Sequence, residues 1–356
     1  MPPAMFHHLP LPLSVLPCIL TATAAQATID VHSHNILPTW RQSIDEHGAA
    51  GDEGFPIPAW DLQAHLAFMD KAGIRQAVLS MPAPQPYFGN AGESTQIVRA
   101  YNETCAAIRR AHPDRFLFCA SLPLPDVNAA ITEAIYALDT LKADGIKLAT
   151  NSYGQYVGDE ALDPLMQVLH DRQAVVILHP HKPSPVHPGT SATTPLAAFE
   201  YPAETTRAVV NLLARNVPAR YPGIRFVIPH CGSFLPLALP RLKAVHPALL
   251  AKGLMKPIDW EANLKRFYYD LAGGATPEVL QALLTITDPD HLLYGSDYPY
   301  QPPSVLQAQL EALRALLSRD STLSPHAEDI LHRNAQHLFS RSESTPHTTT
   351  PPAHTI

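Results

Sequence analysis

Thr28-Ile29-Asp30-Val31-His32-Ser33-His34 decides how this chain is read, because an apolar run ending in His-x-His is a strand that delivers two imidazoles to one point. Side chains alternate along a strand, so both rings share a face. Two neutral imidazoles suit a divalent transition metal, but an open catalytic site needs further ligands from other strands. Three later apolar runs also end in chemically able residues: Val175 to His179, Ile224 to His230, and His291 to Asp297. Each has an ordinary explanation when taken singly. His179 fits a satisfied core histidine, Asp297 fits a cap or turn residue, and His-x-His alone is a weak signal. In the order His-x-His, His, His, Asp they point to one metal site, since the carboxyl ends of the strands of a (β/α)8 barrel meet at a common mouth.

The intervening sequence supports that architecture. Ile74 to Leu79, Phe116 to Ala120, Gly145 to Leu148 and Phe267 to Leu271 read as four more short strands. Between them lie segments with apolar residues spaced by three and four, including Asp61 to Ala72, Thr95 to Ala111, Ala129 to Leu141 and Pro277 to Leu284. Eight strands with helical crossovers predict an α/β fold, a (β/α)8 TIM-type barrel with a mononuclear metal site at its C-terminal mouth. The sequence holds no internal repeat, glycine-rich phosphate loop or dinucleotide fingerprint.

From about Thr28 to Phe339 the chain resembles the amidohydrolase superfamily. It is most similar to the branch of metal-dependent, non-oxidative decarboxylases that includes aminocarboxymuconate semialdehyde decarboxylase and the 6-methylsalicylate decarboxylases. The resemblance rests on Ile29-Asp30-Val31-His32-Ser33-His34, Leu178-His179-Pro180, Pro229-His230-Cys231-Gly232 and Leu293-Tyr294-Gly295-Ser296-Asp297-Tyr298-Pro299, with Ile330 to Phe339 as a similar terminal helix. It implies His32, His34, His179 and Asp297 as ligands of one divalent metal, zinc first and manganese second. It further implies His230 beside the metal as an acid or base, with Asp297 the other proton carrier. The implied reaction is loss of carbon dioxide from an ortho-hydroxybenzoic acid, 6-methylsalicylate to m-cresol or a related polyketide acid. Where the semialdehyde decarboxylases place an arginine for the substrate carboxylate, this chain has His65, which leaves carboxylate binding open. A metal-dependent hydrolase of a lactone, ester or amide would use the same open site, and a noncatalytic metal-binding barrel is the alternative of a different class.

Other residues carry narrower expectations. Lys147 could bridge two metals if carboxylated, which would imply hydrolysis. The chain lacks a clear extra pair of histidines, so a polar interior or loop-facing lysine and a single metal are expected. Cys231 follows His230 but has no evident separate base, so it reads as a small packing residue. Tyr87, Phe88, Phe199, Tyr201, Tyr298 and Tyr300 fall in loops after strands and are expected to wall a flat substrate. The proline-rich segment from Pro180 to Pro202 reads as a lid or a subunit contact.

Composition sets the outer limits. The 356 residues fit one barrel with inserted loops, and a 46% apolar fraction is ample for its core. A net charge of -7 offers no electrostatic case for nucleic acid, so a small aromatic acid is the expected partner, with a homo-oligomer possible. Four cysteines in a chain of this length do not make a disulfide framework. The expected barrel spans residues 28 to 340. Residues 1 to 27 read as a leader or a disordered extension. Leu11 to Leu20 followed by Ala25-Gln26-Ala27 has the form of a secretory signal cleaved near Ala27, but it lacks Lys and Arg, so cytoplasmic and secreted locations both stay open. Residues 341 to 356, rich in Ser, Thr, Pro and His, read as a disordered tail. No apolar run is long enough to cross a membrane.

Overall fold

The computed structural model describes residues 28–186 and 194–340. The expected leader, the expected tail and part of the proline-rich segment lie outside the described residues. Among the described residues ten strands occur in chain order: β1 Thr28–His34, β2 Ile74–Ser80, β3 Phe116–Ser121, β4 Gly145–Ala149, β5 Asn151–Ser152, β6 Gln155–Tyr156, β7 Val175–His179, β8 Arg225–Ile228, β9 Phe267–Asp270 and β10 Leu292–Leu293. Strands β5 and β6 form a small antiparallel hairpin, and the other eight make one parallel sheet in the order β1-β2-β3-β4-β7-β8-β9-β10. The sheet closes on itself: Val31 N donates to Tyr294 O at 2.9 Å, Asp297 N to His32 O at 2.8 Å and His34 N to Tyr298 O at 2.7 Å. The result is the expected (β/α)8 barrel.

Helices return the chain between strands, and local chemistry sets their ends. In the helix Leu62–Ala72, the Asp61 carboxylate accepts from Ala64 N at the start, and Gly73 adopts φ 70° at the finish. Asn90, Asp126, Asp259 and Thr276 cap four other helices in the same way, each cap contributing about 1 kcal/mol. The predicted Ala129 to Leu141 helix is the helix Val127–Ile135 followed by a widened turn at Tyr136–Thr140. Two strands are shorter than their apolar runs. β8 stops at Ile228, and β10 spans only two residues before the chain runs irregularly along β1.

Inward residues of the barrel, among them Ile29, Val31, Val78, Ile177, Val227 and Leu293, pack with Ala335, Leu338 and Phe339 of the terminal helix. That helix therefore floors the barrel, and Arg225 Nη1 ties it down by donating to Leu338 O at 2.6 Å. A larger apolar layer fills the space between strands and outer helices. With apolar side chains below, the opposite end of the barrel is left for polar chemistry. Among the described residues no helix is long and apolar enough to cross a membrane.

Candidate metal centre and active site

Strand alternation alone does not bring His32 and His34 into the barrel. Ile29 and Val31 already occupy the inward face, so unbroken alternation would send Ser33 inward and both imidazoles outward. The pairing with β2 supplies the correction: Asp30 sits opposite Ala77 and Ser33 opposite Leu79, three steps on β1 against two on β2. This extra residue is a bulge that reverses the parity and re-aims the two histidines. Two other inward positions follow simple alternation: Ile177 leads to His179 and Tyr268 to Asp270. Asp297 lies beyond the end of β10, where the chain bonds to β1 and Asp297 takes φ 62°.

The structure brings His32, His34, His179 and Asp297 together, each offering one ligand atom, all within 4.8 Å of one another. Ring centroids lie 5.1 Å apart for His32 and His34, 5.4 Å for His32 and His179, and 4.7 Å for His34 and His179. The far nitrogen of each ring is fixed from behind. His32 Nδ1 donates to the fully buried Asp270 carboxylate at 2.8 Å, and His179 Nδ1 donates to Pro180 O at 2.8 Å. His34 Nδ1 lies 3.1 Å from Ser80 Oγ, which itself donates to Ser33 O and so must accept from the ring. These partners place the proton of every ring on Nδ1 and leave the Nε2 lone pair for the cluster. His32 Nε2 and His34 Nε2 stand 3.4 and 3.2 Å from Asp297 Oδ1, yet both are buried without a hydrogen-bond partner. Lone pairs and a carboxylate that converge without bonding to each other fit a cation at their common point.

The electrostatics agree. Burial depresses the His34 imidazole, and burial together with His34, Lys147 and His32 holds His179 well below its ordinary value, so both rings are neutral. Against burial, Asp270 and Asp297 raise His32 well above its ordinary value, which marks the point where positive charge is favoured. Against burial, His230, His32 and His34 hold the Asp297 carboxyl well below the usual range. Gly295 is required beside this group, since a Cβ there would meet His32 Cβ at 2.7 Å.

His230 stands at the edge of the cluster, its ring centroid 5.0 Å from that of His32 and its Nε2 3.9 Å from Asp297 Oδ2. Its backbone is unusual. His230, Cys231, Gly232 and Ser233 have φ of 55°, 54°, 72° and 55°, and Asp297 has φ 62°. Left-handed non-glycine residues cost about 1–3 kcal/mol each, and such strain concentrates at functional sites. Asp270 supports the turn by accepting from His230 N at 3.0 Å, so one buried carboxylate orients both His32 and the backbone of His230.

A cavity of about 380 Å³ opens onto the cluster, lined by His179, His230 and Asp297 and, among others, by Glu53, Phe55, Tyr201 and Tyr300. Of the expected aromatic walls, Tyr201 and Tyr300 are in place. Tyr298 instead stacks on Phe68 at 4.7 Å in the apolar layer between strands and outer helices, Phe88 stacks on His47 at 4.1 Å, and Tyr87 meets Tyr153 at 5.0 Å. Phe199 is 55% exposed and is not part of the lining. His65 is also absent from the lining. It is buried against Phe116 and Tyr298, its Nδ1 accepts from Trp60 Nε1, and burial pushes its imidazole down to about 3. A neutral core histidine cannot take an arginine's part in holding a carboxylate. Lys147 is buried in the barrel interior, where burial lowers its amine to about 8. Cys231 is buried, with its thiol pushed far up by burial, and so is unreactive.

Comparison with known proteins agrees with this geometry. The amidohydrolase family model matches residues 29–341. The chain belongs to that family. It is 35% identical over 320 residues to a decarboxylase of Aspergillus niger, yanB, covering 83% of this chain and 86% of the relative. It is also 35% identical over 282 residues to the 6-methylsalicylic acid decarboxylase of Penicillium expansum, covering 78% and 86%. Among solved structures, a mutant 5-carboxyvanillate decarboxylase of Novosphingobium aromaticivorans, with bound manganese and a hydroxynitrobenzoic acid, matches with TM-score 0.78 at 22% identity, covering 88% of this chain and 97% of that one.

Sequence reasoning missed Asp270, Asp30 and Glu53. Asp270 ends an apolar strand, the same signal that singled out His179, and was within reach. Asp30 is fully buried, with Ser296 N and Oγ and His32 N donating to it, and burial raises its carboxyl to about 7. Glu53 sits in a loop with no periodic pattern to flag it.

Proposed function

We propose that this chain is a metal-dependent, non-oxidative carboxy-lyase of ortho-hydroxybenzoic acids, with 6-methylsalicylate as a preferred substrate and m-cresol as its product. The observation that carries the reading is the convergence of His32, His34, His179 and Asp297, with His230 beside them, on one cavity with aromatic walls. The two fungal decarboxylase relatives support the reaction class and the substrate.

His32, His34, His179 and Asp297 would hold the ion. Three imidazoles and one carboxylate suit zinc, and the manganese in the 5-carboxyvanillate decarboxylase supports the second choice. A divalent ion there would supply positive charge for the adjacent phenolate and carboxylate oxygens of the substrate. The residues do the rest. Tyr201 and Tyr300 give the ring an aromatic wall, and Ile57, Ala83 and Pro84 offer apolar surface for an alkyl group. The ring carbon that bears the carboxylate takes a proton from the His230–Asp297 pair, and the carbon–carbon bond then breaks. Its electrons return to the ring as carbon dioxide leaves. His230 is suited to that transfer by a ring that can both give and take a proton and by its 3.9 Å approach to Asp297.

The test is incubation of metal-loaded enzyme with a panel of salicylates and a panel of lactones and amides. Carbon dioxide and m-cresol from 6-methylsalicylate, lost together with metal in a His32→Ala/His34→Ala variant, are expected. Hydrolysis of a lactone or amide with every ortho-hydroxybenzoate left intact would overturn the proposal in favour of a hydrolase.

A further inference from the structure

A benzoate brings a negative charge into this cavity, and among the described residues no lysine or arginine lines the wall to meet it. The side-chain donors of the wall are few. His179 Nδ1 is taken by Pro180 O, and Tyr201 OH is taken by Glu53 Oε2 at 3.0 Å. His230 carries the proton of the reaction. Glu53 and Asp297 are both held below the usual carboxyl range against burial, so they only accept. Two donors are left, on consecutive residues: the Tyr300 hydroxyl and the Gln301 amide.

Both belong to the turn that carries Asp297. Tyr300 N donates to Asp297 O at 3.0 Å, and the Tyr300 ring stands edge-on to His34 with centroids 5.6 Å apart. Its hydroxyl has no hydrogen-bond partner among the described residues. Burial, Asp297 and Glu53 push its phenol far above the ordinary value, so it keeps its proton. Gln301 is oriented by a neighbour: Gln309 Nε2, on the helix Pro303–Arg319, donates to Gln301 Oε1 at 3.1 Å. With its oxygen engaged by the helix, the amide has its NH2 end left, and that end has no partner among the described residues. An ortho-hydroxybenzoate that turns its phenolate and carboxylate to the cluster sets the carboxylate beside these same ligands, within the surroundings of Tyr300 and Gln301.

We propose that Tyr300 OH and Gln301 NH2 form the carboxylate subsite of this enzyme, donating to the substrate carboxylate without a cationic side chain. This rests on the ortho-hydroxybenzoate reading and deepens it by naming the groups that hold the acid. Neutral donors suit a reaction in which that charge must leave. As the carbon–carbon bond breaks, the carboxylate's electrons pass to the ring and the group departs as neutral carbon dioxide, so a fixed cation on it would stabilise the ground state more than the transition state. An O–H and an N–H hold the acid in place with less of that penalty.

Tyr300→Phe keeps the ring against His34 and removes only the hydroxyl, while Gln301→Glu keeps the size of the amide and sets a second carboxylate against the substrate's. Steady-state kinetics on 6-methylsalicylate give KM and kcat. Calorimetry with metal-loaded protein gives affinity for the acid and for m-cresol, which has the phenol oxygen and no carboxylate; it is run in a His230→Asn background, where slow turnover leaves the acid intact. Tyr300→Phe should raise KM and weaken acid binding by about tenfold, the scale of one hydrogen bond to a charged group, with kcat changed by less than about threefold. Gln301→Glu should weaken acid binding by more than about tenfold, through loss of a donor and like-charge repulsion. Affinity for m-cresol should stay within about twofold in both variants, since the phenol lacks the group they address. Equal losses for acid and phenol would reduce Tyr300 and Gln301 to wall shape and overturn the subsite, as would acid affinity unchanged in Tyr300→Phe. Failure of the decarboxylase reading looks different: wild type binds the acid and the variants weaken it, yet no carbon dioxide is released.

Discussion

Replacing Asp270 with asparagine alters charge and donors at a fully buried position while keeping size nearly constant. Oδ1 of Asp270 accepts from His230 N at 3.0 Å and Ala272 N at 3.1 Å, while Oδ2 takes the proton of His32 Nδ1 at 2.8 Å. The two backbone N–H groups can only donate, so the asparagine carbonyl must face them and its NH2 must face His32. An NH2 there selects the imidazole tautomer with the lone pair on Nδ1 and the proton on Nε2, the atom aimed at the cluster. The ligand is then blocked until the ring gives up that proton or turns away. Hydrogen bonds to charged groups contribute about 1.5–3 kcal/mol. Loss of such a partner behind a ligating histidine costs about 10- to 100-fold in metal affinity, or ~1.4–2.7 kcal/mol. Competition with a chromophoric chelator at neutral pH measures this directly. The pH matters because His32 and the His230 amide hold Asp270 below the usual range against burial. Its stabilising contribution is complete above the ordinary carboxylate value and fades only as pH falls through the lowered one, so neutral pH separates ligand geometry from acid unfolding. Metal affinity within twofold of wild type in a folded Asp270→Asn protein would refute the reasoning.

His230→Asn should lower kcat by about 100- to 10,000-fold while metal content stays at the wild-type level, read by elemental analysis beside steady-state kinetics. A parallel loss of metal would mean that His230 is a ligand. Leu338→Ala opens the apolar floor of the barrel at a fully buried position and should cost about 2–5 kcal/mol in urea unfolding, with KM unchanged in the folded enzyme. Asp30→Asn should remove a pH slope. Burial raises Asp30 to about 7, so the folded chain holds its proton where the unfolded chain has released it. Wild-type stability on this account falls by roughly 1.4 kcal/mol per pH unit from about pH 4 to pH 7 and is level above. The variant should therefore gain on wild type between pH 5 and pH 7 in urea melts, and a constant difference would refute the shift.

Much of the fold was legible because each element of this barrel carries its own local signal. β1 and β7 coincide with their predicted ranges, and five of the other inferred barrel strands lie within a few residues of theirs. The last strand is the exception. The apolar run from His291 to Asp297 holds together by bonds to β1 across the barrel seam, at Tyr294 O, Asp297 N and Tyr298 O, so regular pairing with β9 covers only Leu292 and Leu293. A seam is a property of closure, and no local window of sequence contains it.

The site shows the same division between what a strand end announces and what tertiary structure decides. His32, His34, His179 and Asp297 stood out as polar residues at the ends of apolar runs, and they do meet. Yet the argument that united the first two was incomplete, because alternation put them on the face opposite Ile29 and Val31. The extra residue between Asp30 and Ser33 that corrects this is visible only against β2. The groups that hold the histidines came from further away still: Asp270 is 238 positions from His32 in the chain, and Ser80 is 46 from His34. Glu53 is the limiting case. Its loop has no period, and its chemistry arises from contacts with Lys182 N and Tyr201 that exist only once the barrel mouth is built. Residues that touch the proposed metal declare themselves through strand position. Other residues of the cavity wall, such as Glu53 and Phe55, sit on loops, where sequence pattern is weakest and differences between relatives of one fold are expected to concentrate.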